Sequence, residues 1–61
     1  MFEDFKGKKV KVIYTETENS KVLAVWGLLR DIESPFLVMV DDRGRKHCIS
    51  VNHIVRISEA S

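Results

Sequence analysis

The sequence is poor in the residues that staple or interrupt small folds. Its single cysteine, Cys48, cannot form a disulfide within the chain, which excludes a disulfide-stapled secreted scaffold. One proline and three glycines exclude a collagen-like or low-complexity chain. No apolar run approaches the length of about 18 residues that a membrane-spanning helix needs, and the acidic stretch Met1 to Asp4 lacks the positive charges of a signal peptide. We therefore expect a cytoplasmic protein without a membrane partner.

The chain is short for a folded protein. Its 61 residues form a single domain, because a second domain would have no room. A domain of this length buries only about 60% of the surface that its unfolded chain exposes, so the core of a lone chain is marginal. With no disulfide to compensate, we expect several copies to associate into a homo-oligomer. Residues Ser58 to Ser61 have little to bury and are predicted to form a frayed tail.

The composition favours a globular protein, with 44% hydrophobic residues, 31% charged residues and a net charge of +1. The charges are unevenly spread along the chain. Two segments are rich in basic residues, Lys6 to Lys11 and Arg43 to Lys46. A solvated surface of mixed charge and a patch that binds phosphate groups are both consistent with such clusters.

Hydrophobic alternation predicts a chain of short strands. They are expected at Lys9 to Thr15, Lys21 to Glu33, Phe36 to Val40, Arg45 to Ser50 and His53 to Ile57. Polar or proline-containing segments predict the connections Glu16 to Ser20, Ser34-Pro35 and Asp41 to Gly44. A helix is disfavoured for the longest apolar segment, because that segment is rich in β-branched and bulky residues and has a glycine in its middle.

The second predicted strand is apolar on both faces. Trp26 and Leu29 point to opposite sides of it, so both sides need cover. Glycine inside a long strand commonly marks a sharp bend or a close backbone approach, and we predict that this strand bends at Gly27. A bent strand allows a small sheet to close on itself, so we predict an all-β fold, a small five-stranded SH3-like barrel, since an OB-type barrel needs more residues. Met1 to Phe5 is predicted to be a short helical turn that caps one opening.

Four features of the sequence occur in an order that is found in a known family. They are Val12-Ile13-Tyr14, Gly27, Ile32-Glu33-Ser34 followed by Phe36, and Lys46-His47-Cys48-Ile49-Ser50. The last of these looks like the Lys-His-Ala-Ile-Ser motif of bacterial host-factor proteins. From about Phe5 to Ile57 the chain resembles the Sm-like family, and within it the bacterial host-factor (Hfq) branch.

The resemblance implies a fold and a function. Sm-like barrels form rings, hexamers or heptamers, in which the fourth strand of one barrel pairs with the fifth strand of the next. Host-factor rings bind single-stranded RNA that is U-rich or A-rich and act as RNA chaperones in post-transcriptional regulation. By this resemblance Lys46 and His47 line the pore on one face and Phe36 stacks a base beside them, while Tyr14 contacts RNA on the opposite face. No cofactor is implied.

Simpler explanations exist for the same residues. Tyr14 and Phe36 are also ordinary packing residues of a barrel, and His47 is also an ordinary surface or packed histidine. His47, Cys48 and His53 do not match common zinc spacings, and no nucleophile with a base is evident, so we expect neither a metal site nor an enzyme. The alternative function is a protein interaction module that does not bind RNA, in which the exposed second strand docks another chain.

Overall fold

The computed structural model describes residues 2–16 and 21–60. Its strands are β1 (Lys9–Thr15), β2 (Val22–Glu33), β3 (Phe36–Asp41), β4 (Lys46–Ser50) and β5 (Ile54–Glu59). Two short 3₁₀ turns, Phe2–Phe5 and Val51–His53, accompany them, and within the described ranges no helix could cross a membrane. The predicted all-β class is confirmed. The predicted polar loop after Thr15 falls largely on residues 17–20, which lie outside the described residues.

The strands form one antiparallel sheet in the order β4-β3-β2-β1-β5. Side chains of neighbouring strands lie opposite each other, as Val12 does opposite Val25 and Met39 opposite His47. β4 and β5 are the outer strands, and no ladder joins them in the part of the chain that the structure describes. The predicted set of five strands is therefore present, and the sheet they form in one chain is open.

The connection between the two outer strands forces this sheet to curl. β4 ends at Ser50 and β5 begins at Ile54, with only the turn Val51–His53 between them. A flat sheet of this width spans about 19 Å from edge to edge, whereas the connecting chain reaches at most about 14 Å when extended and less in a 3₁₀ turn. The outer strands therefore approach each other at this end, and one face of the sheet becomes concave.

The core lies on the concave face. Its buried side chains occupy alternate positions of the strands and are Val10, Val12, Val25, Leu29, Leu37, Met39 and Ile49. Full burial of one such aliphatic side chain contributes about 1.5–3 kcal/mol. The opposite face of β2 leaves Val22, Trp26 and Leu28 exposed. Of the two apolar faces that the sequence indicated, the chain itself covers only one.

The N-terminal turn covers part of this core, as predicted. Phe2 and Phe5 pack against the buried cluster. The backbone N–H of Gly7 donates to the carbonyl oxygen of Leu29 at 2.8 Å, and the N–H of Leu29 donates to the carbonyl oxygen of Lys8 at 3.0 Å. Gly7 has a φ of 82°, which glycine adopts without steric cost. Backbone hydrogen bonds thus tie the turn to β2.

The C-terminal residues differ from the prediction. β5 continues to Glu59, which pairs with Val10 of β1, and the backbone N–H of Ala60 donates to the carbonyl oxygen of Lys9 at 2.9 Å. The prediction of a frayed tail from Ser58 is therefore wrong as far as residue 60. Backbone groups pair whatever side chain they carry, so the loss of apolar side chains does not end the strand.

Gly27 marks a close approach between two strands. The register of β2 against β3 shifts between Leu29 and Asp31, so the irregular part of the strand lies beyond the glycine. Gly27 itself lies opposite Asp41. A Cβ atom at Gly27 would strike the carbonyl oxygen of Val40 and lie 2.9 Å from the Cα atom of Asp41. Close backbone approach is therefore the reason that this position requires glycine.

We predict that Gly27→Val destabilises the protein, because the new side chain pushes β2 away from β3. Overpacking of this kind costs about 1–3 kcal/mol, which urea unfolding would measure. Ala24→Val adds bulk at an exposed position of the same strand and should change the unfolding free energy by less than about 0.5 kcal/mol. Equal unfolding free energies for Gly27→Val and the parent would contradict the close approach.

Candidate nucleic-acid interface

A groove of about 320 Å³ lies between the β3–β4 turn and the neighbouring parts of β1 and β2. Tyr14 and Trp26 contribute aromatic surface to it, and Arg43, Arg45 and His47 line it with nitrogen-bearing side chains. Trp26 is 50% exposed, whereas Tyr14 packs against the core. The carboxylates of Asp41 and Asp42 line it as well, so the groove offers apolar aromatic surface next to a turn that carries charges of both signs.

Asp41 fixes the shape of the turn. Its Oδ1 atom accepts hydrogen bonds from the backbone N–H groups of Arg43 and Arg45, both at 2.9 Å. Its Oδ2 atom accepts from Arg45 Nε at 3.0 Å and interacts with His47 Nε2 at 2.8 Å. Gly44 has a φ of 79° and donates its N–H to the carbonyl oxygen of Asp41 at 2.9 Å. One carboxylate thus holds the backbone of the turn and the side chains of Arg45 and His47.

The charges of the turn are partly neutralised. The hydrogen bond with His47 and the backbone N–H of Arg45 hold the pKa of Asp41 well below its usual range, because both stabilise the carboxylate. The ionised carboxylate in turn offsets the charge of Arg45, whose Nε lies 3.0 Å from it. In the described ranges the guanidinium of Arg43 has no ion-pair partner, so Arg43 is the cation of this turn that is available to an anionic ligand.

The structure brings together two of the predicted RNA-binding residues. Tyr14 and His47 line the same groove, although the resemblance placed them on opposite faces. Lys46 points away from His47, because successive residues of a strand alternate between its faces. It lines a second groove, of about 340 Å³, whose other charged residues include Arg30 and Glu33. Lys46 and His47 therefore do not form one basic rim within a chain.

The fourth predicted residue, Phe36, lies apart from this groove. It is 45% exposed and pairs with Ser50 near the start of β3. His47 pairs with Met39, which lies on β3 three residues beyond Phe36. Phe36 and Met39 are therefore about 10 Å apart along β3. Phe36 and His47 therefore do not meet within one chain, and a joint binding role for them stays a prediction that requires a neighbouring subunit.

Trp26 is the residue of the interface that sequence reasoning missed. The sequence marks it only as part of an apolar strand, yet its alternation with the buried Val25 is the signal that it faces outward. The Nζ atom of Lys11 lies 5.1 Å from the centroid of its ring, within the range of a cation–π interaction. Arg43 and Arg45 belong to the basic segment Arg43 to Lys46. The sequence is consistent with two roles for this segment, a solvated surface of mixed charge and a patch that binds phosphate groups.

In comparisons with known proteins, no family model, no curated protein and no solved structure matches the chain. The Sm-like resemblance therefore rests on the sequence motifs alone. Over residues 2–16 and 21–60, no group of three or more His, Cys, Asp or Glu side chains is placed to hold a metal ion.

We predict that Asp41→Asn destabilises the protein at neutral pH. The oxygen of the asparagine amide can still accept from the two backbone N–H groups, but its NH₂ group replaces the Oδ2 atom that contacts Arg45 Nε and His47. The lowered pKa of Asp41 means that the native state favours the ionised carboxylate. Its stabilisation is complete above the ordinary pKa of about 3.9 and is lost as the pH falls below that value. The difference in urea midpoint between the parent and Asp41→Asn should therefore narrow below about pH 4.

The matched control is Asp42→Asn, which removes the same charge from the next residue. The carboxylate of Asp42 pairs with Lys9 at 3.3 Å on exposed surface, where such a pair contributes about 0–1 kcal/mol. Asp42→Asn should therefore unfold close to the parent at every pH. Equal losses in the two variants would show that Asp41 does not organise the turn.

Proposed function

We propose that this protein forms rings of identical subunits and binds single-stranded RNA. The observation that carries the proposal is the groove in which Tyr14 and Trp26 lie beside the turn that bears Arg43. Proteins bind single-stranded RNA through aromatic side chains that stack on bases and cations that pair with phosphates. In its specific form, the proposal is an Sm-like protein of the host-factor type that acts as an RNA chaperone in the cytoplasm.

The two edges of the sheet support assembly into rings. In the described part of the chain, β4 and β5 each pair with another strand on one side only. Open strand edges recruit further strands, so β4 of one subunit can pair with β5 of the next and continue around a closed ring. Such pairing would join the curled sheets of neighbouring subunits into one continuous hydrogen-bonded sheet, and the fold proposed for each subunit is an SH3-like barrel. Val55 of β5 is 63% exposed and is available for this contact.

Assembly also strengthens a weak charge. One chain has a net charge of only +1, which on its own is little attraction for a polyanion. In a ring Arg43 recurs once in every subunit, so the local positive field is repeated around the assembly. An RNA strand that crosses several subunits contacts several such sites at once, which raises its affinity without any new type of contact.

A second candidate function is a protein interaction module that does not bind RNA. The open edge of β4 and the exposed side chain of Val22, which is 63% accessible, favour it. An extended peptide can add a strand to an open edge and place its side chains against exposed apolar residues. Both candidates predict association between chains, but only RNA binding predicts a salt-dependent affinity for oligonucleotides.

The proposal predicts a light-scattering mass of several times 7.0 kDa and binding of labelled oligo-U or oligo-A that weakens as salt rises. Arg43→Gln should lower the salt slope by about 0.7 for each phosphate that the arginine neutralises. Lys6→Gln is the matched control, since Lys6 pairs with Asp31 at 3.4 Å and does not line the groove. A folded monomer would overturn the ring, and an intact oligomer that binds neither oligonucleotide at low salt would overturn RNA binding.

The same titration tests Lys46 and Phe36, which the resemblance assigns to RNA. Lys46→Ala should weaken binding and lower the salt slope, because fewer counterions are released from phosphates. Phe36→Ala should cost about 1–3 kcal/mol for each base that stacks on it and leave the slope unchanged. If both variants bind RNA like the parent, neither residue belongs to the site.

A further inference from the structure

The convex side of the sheet carries a surface that none of the sequence motifs assigned. We define the outer face as the outward positions of β5, of β1 and of β2 as far as Leu28. Cross-strand pairs place Lys11 opposite Trp26 and Arg56 opposite Ile13 on this face. No acidic residue occupies any outward position in these three segments. The outer face is therefore cationic and apolar, although the chain as a whole is nearly neutral.

Trp26 lies on β2, at the side of the outer face next to the groove, and opposite Lys11 of β1. Half of its surface is exposed, and tryptophan is enriched at interfaces because its ring supplies a large contact area. Lys11 approaches its ring to 5.1 Å from Nζ to the centroid. The ammonium lies over the ring face, so a base that stacks there takes its place while Lys11 pairs with a phosphate, and these are the two contacts that a nucleotide needs.

The cations of the outer face differ in their partners. Lys9 Nζ lies 3.3 Å from a carboxylate oxygen of Asp42. Lys11 and Arg56, by contrast, have no ion pair with any described residue. They are diagonal neighbours on adjacent strands, about 7–8 Å apart. Across the outer face the order is therefore Trp26 on β2, Lys11 on β1 and Arg56 on β5, so two unneutralised cations lie on one side of the exposed ring.

We propose that the outer face binds the single-stranded RNA that the groove also holds, with a base stacked on Trp26 and phosphates paired with Lys11 and Arg56. The inference rests on the proposed function and extends its site. Trp26 belongs to both surfaces, since it also lines the groove, so one strand can pass from the groove onto the face without a gap. Charge complementarity selects a polyanion as the occupant, because the outward positions of these segments hold cations and no acidic residue, and the carboxylate of Asp42 neutralises Lys9 alone.

The test is a salt-dependent titration with labelled oligo-U and oligo-A. Lys11→Gln and Arg56→Gln should each weaken binding about 5-fold at 0.1 M salt and lower the salt slope by about 0.7. Trp26→Leu should weaken binding about 5- to 150-fold with an unchanged slope, whereas Trp26→Phe keeps a stacking ring and should bind more tightly than Trp26→Leu. Lys8→Gln is the matched control, because Lys8 precedes β1 and pairs with Glu59. It should keep the affinity of the parent.

The outcomes separate this inference from the proposed function. If the parent binds RNA and the Lys11 and Arg56 variants bind it like Lys8→Gln, the outer face is not an RNA surface and the groove stands alone. If the parent binds no RNA, both proposals fail together. Vesicles of phosphatidylcholine with phosphatidylglycerol provide the last arm, in which no binding is expected. If the parent binds these vesicles and Trp26→Leu loses vesicle binding but still binds RNA like the parent, the outer face binds a lipid surface and the inference is overturned.

Discussion

The connection from β4 to β5 is the constraint on which the rest of the structure depends. Only Val51–His53 separate the two outer strands of the sheet, and this chain is too short to cross a flat sheet of that width. The sheet therefore curls, which encloses an apolar core on its concave side without a second sheet. The same curvature leaves the convex side uncovered, while β4 and β5 each have one edge without a paired strand in the described ranges. Burial of the core and exposure of the convex side thus have one geometric cause.

Strand alternation then decides which side chains act together. Lys46 and His47 are neighbours in the sequence, yet they face opposite sides of β4 and line different grooves. His47 instead joins Asp41, which holds the β3–β4 turn through both of its carboxylate oxygens. Adjacent residues of a motif on a strand therefore lie on opposite surfaces of the sheet. A ligand that contacts both residues must wrap around the strand or bind at the junction of two subunits.

Much of the fold could be predicted from the sequence, because hydrophobic alternation and turn residues are local signals. The first strand has the predicted bounds, Lys9–Thr15. The sequence singles out Gly27 but favours a bend there, whereas the structure shows a close backbone approach at Gly27 and a register shift beyond it, between Leu29 and Asp31. The extension of β5 to Glu59 could not be predicted, since backbone pairing with β1 leaves no pattern in the side chains. The site was harder to predict, because the position of Trp26 beside the Asp41 turn depends on how two hairpins meet in space.

The most direct test of RNA binding uses a signal within the site itself. Trp26 is the only tryptophan of the chain and lines the groove, so its fluorescence reports on any base that stacks there. Titration of the intact oligomer with unlabelled oligo-U and oligo-A should quench this fluorescence, and added salt should reverse the quenching as counterions compete for the phosphates. RNA binding detected by anisotropy with no change in Trp26 fluorescence would contradict the account.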